Sequence, residues 1–337
     1  MKVLHIHSGK EGGSERFLVS LARAMADRGI EQRFVIRPGR SWEGDVAALG
    51  PIALTRNRLL SRPIARFRVA RLARRWGADA ILAWMPRAAF LLPHRSTALR
   101  AVRLGDYPTS IDHYARADIL VGNTPHIVEC AREMGWQRPA ETISNFVRPV
   151  TLRPVPREDE GTPEGGFLIV TGGRFVGLKG IDTAIRAAAR VPGAWLWILG
   201  DGPERDALRT LAERLGIAER TRFLGWRSEP IHHLAAGDAF VMPSRSEPLG
   251  NMALEAWQAG LPLVSTRTEG PSWFVRDGTD GLLVDIDDVN AMAGHLRALA
   301  ADPDLRARLS RAGRARLRQM FGRDAIVDAW VELLGRG

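Results

Sequence analysis

One local rhythm occurs twice in this chain: a short apolar run, a turn crowded with glycine, then a helix-forming stretch. The first instance opens the sequence. Residues 2–7, KVLHIH, read as a strand and run into Ser8-Gly9-Lys10-Glu11-Gly12-Gly13-Ser14. A helix is predicted over 15–28, with Phe17, Leu18, Leu21 and Ala22 on one face and Gly29 ending it, and the next strand over 32–36. The second instance starts at 167–171, passes through a glycine-rich loop at 172–180 and continues as a helix over 181–191. A strand, a glycine turn and a helix feeding a further strand form a parallel β–α–β unit, whose sheet must be covered by helices on both faces. The chain is therefore predicted to be α/β, with two doubly wound parallel-sheet halves facing a ligand-binding cleft.

Further strands are predicted at 78–84, 101–104 and 119–122 in the first half. In the second half they fall at 194–200, 221–224 and 239–242, with a helix over 203–215. Asn145-Phe146-Val147-Arg148-Pro149 closes a first domain of residues 1–150. The run 151–166 is rich in proline, glutamate and glycine and reads as a linker into the second domain, 151–315.

The stretch PSRSEPLGNMALEAWQAGLPLVST, residues 243–266, carries the most specific chemistry. Residues 243–250 read as a loop, 251–259 as a helix stopped by Gly260-Leu261-Pro262, and 263–266 as a short buried strand. Glu247 then lies just ahead of a helix N-terminus and Glu255 a turn inside it. Helix N-termini present unpaired N–H groups and favour anions, while carboxylates accept hydrogen bonds from hydroxyls. The combination suits a sugar joined to a phosphate. In GGRFVGLKGID, residues 172–182, glycines allow close backbone approach, and Arg174 and Lys179 supply two cations suited to a diphosphate.

The E-x7-E spacing of Glu247 and Glu255, inside P-S-R-x-E-P-L-G-N and L-E-A-W-x-A-G-x-P, resembles the signature of the GT-B glycosyltransferases, in particular glycosyltransferase family 4. The 172–182 stretch is similar to that family's G-R-x-x-x-x-K-G-x-D element. Gly12-Gly13-Ser14-Glu15 is similar to its G-G-x-E turn. Gly200-Asp201-Gly202-Pro203 and Phe223-Leu224-Gly225-Trp226 also match. The likeness covers essentially the whole chain and is strongest from Arg174 to Leu283. It implies a GT-B fold of two Rossmann-like domains, with a closing helix within 316–337 that crosses back to the first domain.

The resemblance also implies an activity: a retaining, metal-independent transfer of a hexose from a nucleotide-diphosphate sugar, GDP-mannose or a UDP-sugar. Arg174 and Lys179 would hold the pyrophosphate. Glu247 and the amides of Leu249, Gly250 and Asn251 would hold the sugar, and Glu255 the ribose hydroxyls. The Gly12-Gly13 backbone would approach the donor, whereas Glu15 reads as a cap of its own helix. The departing phosphate would take the acceptor proton on the same face. No cofactor besides the donor is expected. Asp285-Ile286-Asp287-Asp288 imitates the D-x-D of metal-dependent transferases but sits at a strand-to-helix turn, so no metal is expected there. Asp106, in Arg103-Leu104-Gly105-Asp106-Tyr107, looks like the acceptor-side polar residue, with His113 the runner-up. His5 and His7 alternate on the first strand and read as core. The set R-L-G-D-Y, N-T-P, G-W and N-F-V with S-R-x-E-P-L-G-N looks most like bacterial lipopolysaccharide-core sugar transferases. That likeness implies a glycolipid or polysaccharide acceptor at a membrane.

Charge separates the halves. Residues 1–150 hold 24 Lys+Arg against 13 Asp+Glu, and the remaining residues hold 24 against 25. Eight arginines fall within 56–75, no acidic residue lies between Asp45 and Asp79, and Leu59, Leu60, Ile64, Phe67, Val69, Leu72 and Trp76 are interleaved. Such a segment is either a core helix with a basic outer face or a surface for anionic lipid. Nucleic acid is disfavoured, since no nucleic-acid motif accompanies it. The single cysteine, Cys130, fits a reducing compartment. The N-terminus lacks a signal-peptide pattern and no run of 18 apolar residues occurs, so a cytoplasmic protein, peripheral at the inner face of the membrane, is expected. Two other readings remain open at this point: a GT-B sugar-nucleotide epimerase, and a non-catalytic basic module that binds nucleotides or polyanions.

Overall fold

The computed structural model describes residues 1–9, 12–55 and 62–336. Lys10 and Glu11 of the first glycine turn, and Leu59 and Leu60 of the basic stretch, lie outside the described residues. The chain divides into two compact units: Met1–Arg148 together with the C-terminal helix from Arg323, and Pro149–Gly322.

The first unit is built on a parallel sheet of seven strands: β1 (Lys2–His7), β2 (Glu31–Ile36), β3 (Ile52–Leu54), β4 (Ala80–Trp84), β5 (Leu99–Leu104), β6 (Ile119–Gly122) and β7 (Ala140–Thr142). Their order is β3-β2-β1-β4-β5-β6-β7, so the winding reverses between β1 and β4. Strands buried on both faces read as continuous apolar runs, and Ala80–Trp84 is buried at every position. Helix Gly13–Ala26 covers one face with Phe17, Leu18, Leu21 and Met25, and the C-terminal helix Arg323–Leu334 adds Val327, Trp330, Leu333 and Leu334 to the same core. The helices Arg62–Trp76 and Pro125–Glu133 cover the other face, through Ala65, Val69 and Ala73 and through Ile127 and Ala131. Cys130 is half-buried on the second of these, and burial raises its thiol above the usual range.

The second unit holds a six-stranded parallel sheet: β8 (Leu168–Gly172), β9 (Trp195–Leu199), β10 (Thr221–Gly225), β11 (Ala239–Met242), β12 (Leu263–Thr266) and β13 (Leu282–Val284). The order β10-β9-β8-β11-β12-β13 reverses between β8 and β11. The segment read as a linker is pinned to this unit. Arg157 donates to the carbonyls of Ala236 and Gly166 and pairs with Asp238 at 3.0 Å, and Trp197 Nε1 donates to Thr162 Oγ1 at 2.8 Å. The closing boundary also shifts from the expected one. Helix Pro303–Phe321 stays in the second unit, so the return to the first begins at Arg323 rather than near 316. No helix among the described residues is long and apolar enough to cross a membrane.

Candidate functional site

In an open parallel sheet the loops that follow the two strands flanking the winding reversal turn to opposite faces and leave a crevice at the carboxyl ends. In the second unit those strands are β8 and β11, and Thr171 Oγ1 ties them by donating to Val241 O at 2.8 Å. Each is followed by one of the two motifs singled out in the sequence. Gly180 closes the β8 loop in the left-handed region, at φ 60°, and caps helix Ile181–Ala188. A Cβ there would lie 2.0 Å from the carbonyl oxygen of Pro243, so only glycine lets the two loops touch.

This contact brings Lys179 and Glu247 together. Lys179 Nζ lies 2.5 Å from Glu247 Oε2, and Ser244 Oγ donates to the same oxygen at 3.1 Å. The Glu247 side chain is 13% exposed and that of Lys179 29%, so this charge-assisted contact is only partly screened. The backbone of Glu247 is held as well: its carbonyl accepts from Gly270 N at 2.9 Å, and its amide faces Glu269 Oε2 at 3.4 Å.

Helix Asn251–Ala259 starts at Gly250, which has φ 91° and provides no side-chain cap. Its first turn stands over the end of β8, since a Cβ on Gly172 would meet Met252 Cε at 2.8 Å. Leu249 and Gly250 are buried, Asn251 is half-buried, and Glu255 is half-buried in the second turn. An uncapped helix N-terminus over the switch point is a place for an anion or its attached hydroxyls. Arg174 is exposed and its side chain has no hydrogen bond or ion pair among the described residues, so its guanidinium is open to a ligand.

Sequence reasoning missed Ser244 and Glu269, although Ser244 belongs to the P-S-R-x-E string and its spacing of three from Glu247 was visible. It also missed that Asp287 differs from its neighbours. Asp285 has an 83% exposed side chain with Arg267 at 3.7 Å, whereas Asp287 pairs with Arg245 at 2.8 Å. A shallow cavity of about 280 Å3, lined by Gly177, Asp182, Arg186, Glu204, Arg214 and Arg245 among others, flanks that pair rather than Lys179 and Glu247.

In the first unit Asp106 is exposed in the loop after β5, its Oδ1 accepting from Tyr107 N at 2.8 Å. Burial, and then the Asp106 charge, push the Tyr114 phenol up to about 12. His113 is half-buried, its ring edge-on to Phe90 at 5.2 Å. Gly12 and Gly13 lead into helix Gly13–Ala26, and Gly12 gives it no side-chain cap. Glu15, which the sequence suggested as its helix's own cap, stands three residues after the N-cap Gly12. It is buried in the first turn, with Oε1 3.6 Å from His7 Nε2.

Around Glu15 lies a buried polar cluster. Arg103 NH2 donates to Asn145 Oδ1 at 2.6 Å, and its guanidinium stacks over Phe17 and Trp84. Burial lowers Arg103 to about 10 and nearby Glu15 partly restores it, so it remains a cation at neutral pH. His5 Nδ1 accepts from Trp84 Nε1, and its Nε2 faces Gln32 Oε1 at 3.0 Å. His7 Nδ1 accepts from Gly9 N at 3.0 Å. Burial drives His5 down to about 4. Burial, with Arg103, Arg40 and His5 adding repulsion, drives His7 to about 3. Both imidazoles are neutral in the folded protein.

Three comparisons bear on this arrangement. The family described as "Glycosyl transferases group 1" matches residues 153–316. Two proteins of Rhizobium meliloti (strain 1021) align along the whole chain. "Lipopolysaccharide core biosynthesis glycosyltransferase LpsE" is 46% identical over 336 residues, covering 99% of each chain. The protein named LpsD with the same description is 45% identical over 339 residues, covering 100% of this chain and 99% of that one. Among solved structures, Anabaena HepE in complex with UDP superposes with a TM-score of 0.85 over 100% of both chains at 21% identity. With two parallel sheets in the orders described, that likeness gives the chain the GT-B fold expected from its sequence.

The two neutral histidines set a pH dependence. In the unfolded chain each takes up a proton below its ordinary 6.5, whereas in the folded protein it does so only near 4 or 3. Their contribution to stability is therefore complete above 6.5 and is lost as pH falls toward those lower values. Denaturant unfolding between pH 6 and 4.5 is expected to lose about 1.4 kcal/mol per pH unit for each histidine. His7→Gln should make that slope shallower by about one proton. Equal slopes for the two proteins would show that His7 titrates normally.

Proposed function

The chain belongs to the group 1 glycosyl transferases, and from that premise we propose that it moves a hexose from a nucleotide-diphosphate sugar to a lipopolysaccharide-core acceptor, retaining the anomeric configuration and requiring no metal. The acceptor class is supported by the two Rhizobium relatives, each aligned from end to end and each described as acting in lipopolysaccharide core biosynthesis. One observation carries the chemistry: a lysine ammonium and a glutamate carboxylate in contact at the sheet's switch point. A nucleotide sugar presents a diphosphate and sugar hydroxyls side by side. Its phosphate replaces the carboxylate at Lys179, and its hydroxyls donate to the freed Glu247.

Arg174 and Lys179 then stabilise the charge that develops on the departing diphosphate as the bond from the anomeric carbon to its oxygen breaks. The amides of Leu249, Gly250 and Asn251 hold the sugar, and Glu255 takes the ribose hydroxyls. The acceptor hydroxyl oxygen bonds to the anomeric carbon on the face the phosphate leaves, and its proton passes to the departing phosphate oxygen. Asp106, exposed on the first unit, orients that hydroxyl, with His113 as the alternative. The donor is GDP-mannose or a UDP-sugar. Transfer of label from each of these to purified, truncated lipopolysaccharide core tests the whole reading, and release of free nucleotide without acceptor would favour an epimerase.

The acceptor's setting gives the basic helix a role. On Arg62–Trp76 the exposed side chains form one stripe, Pro63, Ile64, Phe67, Arg68, Arg71, Arg74 and Arg75. Ile64 and Phe67 are 59% and 64% exposed. Cations flanking exposed apolar side chains suit an anionic lipid surface, at about 1 kcal/mol per basic residue near the leaflet. The protein is thus read as peripheral at a membrane's cytoplasmic face.

Three outcomes are expected. Binding of UDP or GDP, whichever is tighter, should persist in excess chelator by calorimetry. Lys179→Ala should weaken it about 10- to 150-fold, the loss of one charge-assisted hydrogen bond. Binding lost on chelation would sink the metal-free reading. Secondly, Glu247→Gln should lower turnover more than nucleotide-diphosphate affinity, because its partners are sugar hydroxyls, while Glu255→Gln should weaken the nucleotide itself. Equal affinity losses with unchanged turnover would reverse these roles. Thirdly, the protein should sediment with anionic but not neutral vesicles, and less so as salt rises from about 0.05 to 0.5 M. Replacing Arg68, Arg71, Arg74 and Arg75 with Ser should weaken sedimentation and leave nucleotide binding alone. Equal pelleting with neutral vesicles would count against the lipid surface.

A further inference from the structure

We propose that Arg245 is a positioning residue for the donor site, clamping the loop that carries Lys179 to the loop that carries Glu247. The inference rests on the reading that those two residues hold the donor, and it concerns a side chain that does not itself face the donor.

Arg245 lies two residues before Glu247, and its contacts bracket Lys179. Its backbone amide donates to Leu178 O at 2.8 Å. NH1 donates to Gly177 O at 2.6 Å. NH2 reaches Asp182 Oδ2 at 2.9 Å, on the first turn of helix Ile181–Ala188. Gly177 and Leu178 precede Lys179 and Asp182 follows it, so the lysine sits in a span fixed at both ends by one guanidinium. Nε completes the fork, 2.9 Å from each oxygen of Asp287. All three guanidinium nitrogens are thus engaged, which separates Arg245 from the open Arg174.

Asp287 is the second member of the device. It is one of two non-glycine residues with positive φ among the described residues, at 62°. An L-residue adopts that conformation at a cost, and such strain persists where the surroundings hold it. Here the turn aims the carboxylate at Arg245 and at Thr183 Oγ1, which donates to Asp287 Oδ1 at 2.9 Å. The loop after β13 is thereby joined to the loops after β8 and β11. Hydrogen bonds from Arg245 and Thr183 hold the Asp287 carboxyl below its usual range, and Asp287 and Asp182 raise Arg245 above its own. Lysine could not replace this arrangement, because one ammonium cannot span two carboxylates and a carbonyl in three directions.

The device acts on geometry. Displacing a binding group by about 1 Å can cost on the order of a hundredfold. Without the Arg245 guanidinium, the Gly177 carbonyl and the Asp182 carboxylate lose their shared anchor, and Lys179 and Glu247 no longer share one frame. The effect on donor binding must then run through Lys179, and a double-mutant cycle isolates that dependence.

The experiment titrates UDP and GDP by calorimetry into the full-length protein, keeping whichever binds, and repeats it for Lys179→Ala, Arg245→Ala and the double variant. Arg245→Ala is expected to weaken binding by roughly ten- to a hundredfold, but by less than about threefold when Lys179 is already Ala. Arg245→Lys should restore only part of the loss, and Asp287→Asn should reproduce part of it. Binding within about twofold of the parent for both Arg245→Ala and Asp287→Asn overturns the clamp, as does an equal loss in both backgrounds, which marks a merely structural residue. If Arg245→Ala does not fold, Arg245→Lys and Asp287→Asn, each crossed with Lys179→Ala, decide by the same criterion. Unchanged affinity in Lys179→Ala alone would instead remove the donor-site reading and leave the clamp's geometry without that role.

Discussion

Backbone touches backbone where Gly180 meets the carbonyl of Pro243, and the loops at the switch point of the second unit are organised around that contact. A side chain of any size at 180 would force the β8 and β11 loops apart, since even a Cβ would stand 2.0 Å from the Pro243 oxygen. With hydrogen there, Lys179 and Glu247 come within 2.5 Å of each other. Each answers the desolvation of the other, because a buried charge without a partner is costly. Under the proposed function, a donor has to offer both halves of an exchange at once: an anion for the lysine and hydroxyls for the carboxylate. Under that reading the same pair selects for a ligand that answers both charges, since one with a single function leaves a partly buried charge unanswered.

The parts of this arrangement legible in the sequence were those with a local signature. Gly172 and Gly180 around Arg174 and Lys179, and Glu247 ahead of a helix, follow from strand-to-helix spacing. That places them after β8 and β11 before any coordinates are known. Strands β3 and β7 were not legible: each has three residues, with no buried position in either. A short, half-exposed edge strand has no hydrophobic alternation to detect. Nor could sequence show that residues 151–166 dock on the second unit, because the anchor is one arginine, Arg157, reaching Asp238 and Ala236 across 81 and 79 positions. Arg245 and Asp287 failed for the same reason. They stand 42 residues apart, and the Asp-Ile-Asp string read only as a strand-to-helix turn, with nothing local to mark the ion pair.

Polarity is handled differently in the first unit. Its sheet ends carry Arg103, Glu15, His5 and His7 almost wholly buried, in a region otherwise packed with Phe17, Phe34 and Trp84. The histidines stay neutral, and aromatic faces and Asn145 hold the Arg103 guanidinium. Such a cluster is a poor source of stability but fixes direction, because each member has few ways to satisfy its partners at once. Glu15 lies so close beneath Gly9 that a Cβ there would be 1.8 Å from its Oε1. The cluster therefore leaves room only for glycine at position 9, and its carboxylate also stands near Gly12, where a Cβ would be 3.2 Å from Oε2.

Partnering sorts the many cations of this chain into two kinds. Arg157, Arg245 and Arg103 have carboxylate, carbonyl or amide acceptors, and each fixes a segment distant in sequence. Arg174, Arg68, Arg71, Arg74 and Arg75 have no such acceptor among the described residues, and all are exposed. A cation already paired contributes little further attraction for an anion, whereas an unpaired one raises the local potential in full, within a Debye length. The near-neutral balance of the second half thus conceals an open cation, Arg174, five residues before Lys179. The basic excess of the first half has a definite location, the Arg62–Trp76 helix, whose four open arginines share an exposed stripe with Ile64 and Phe67. Net charge alone would assign both halves a diffuse field; the acceptor inventory divides it into an open cation in the loop after β8 and an extended basic face along one helix.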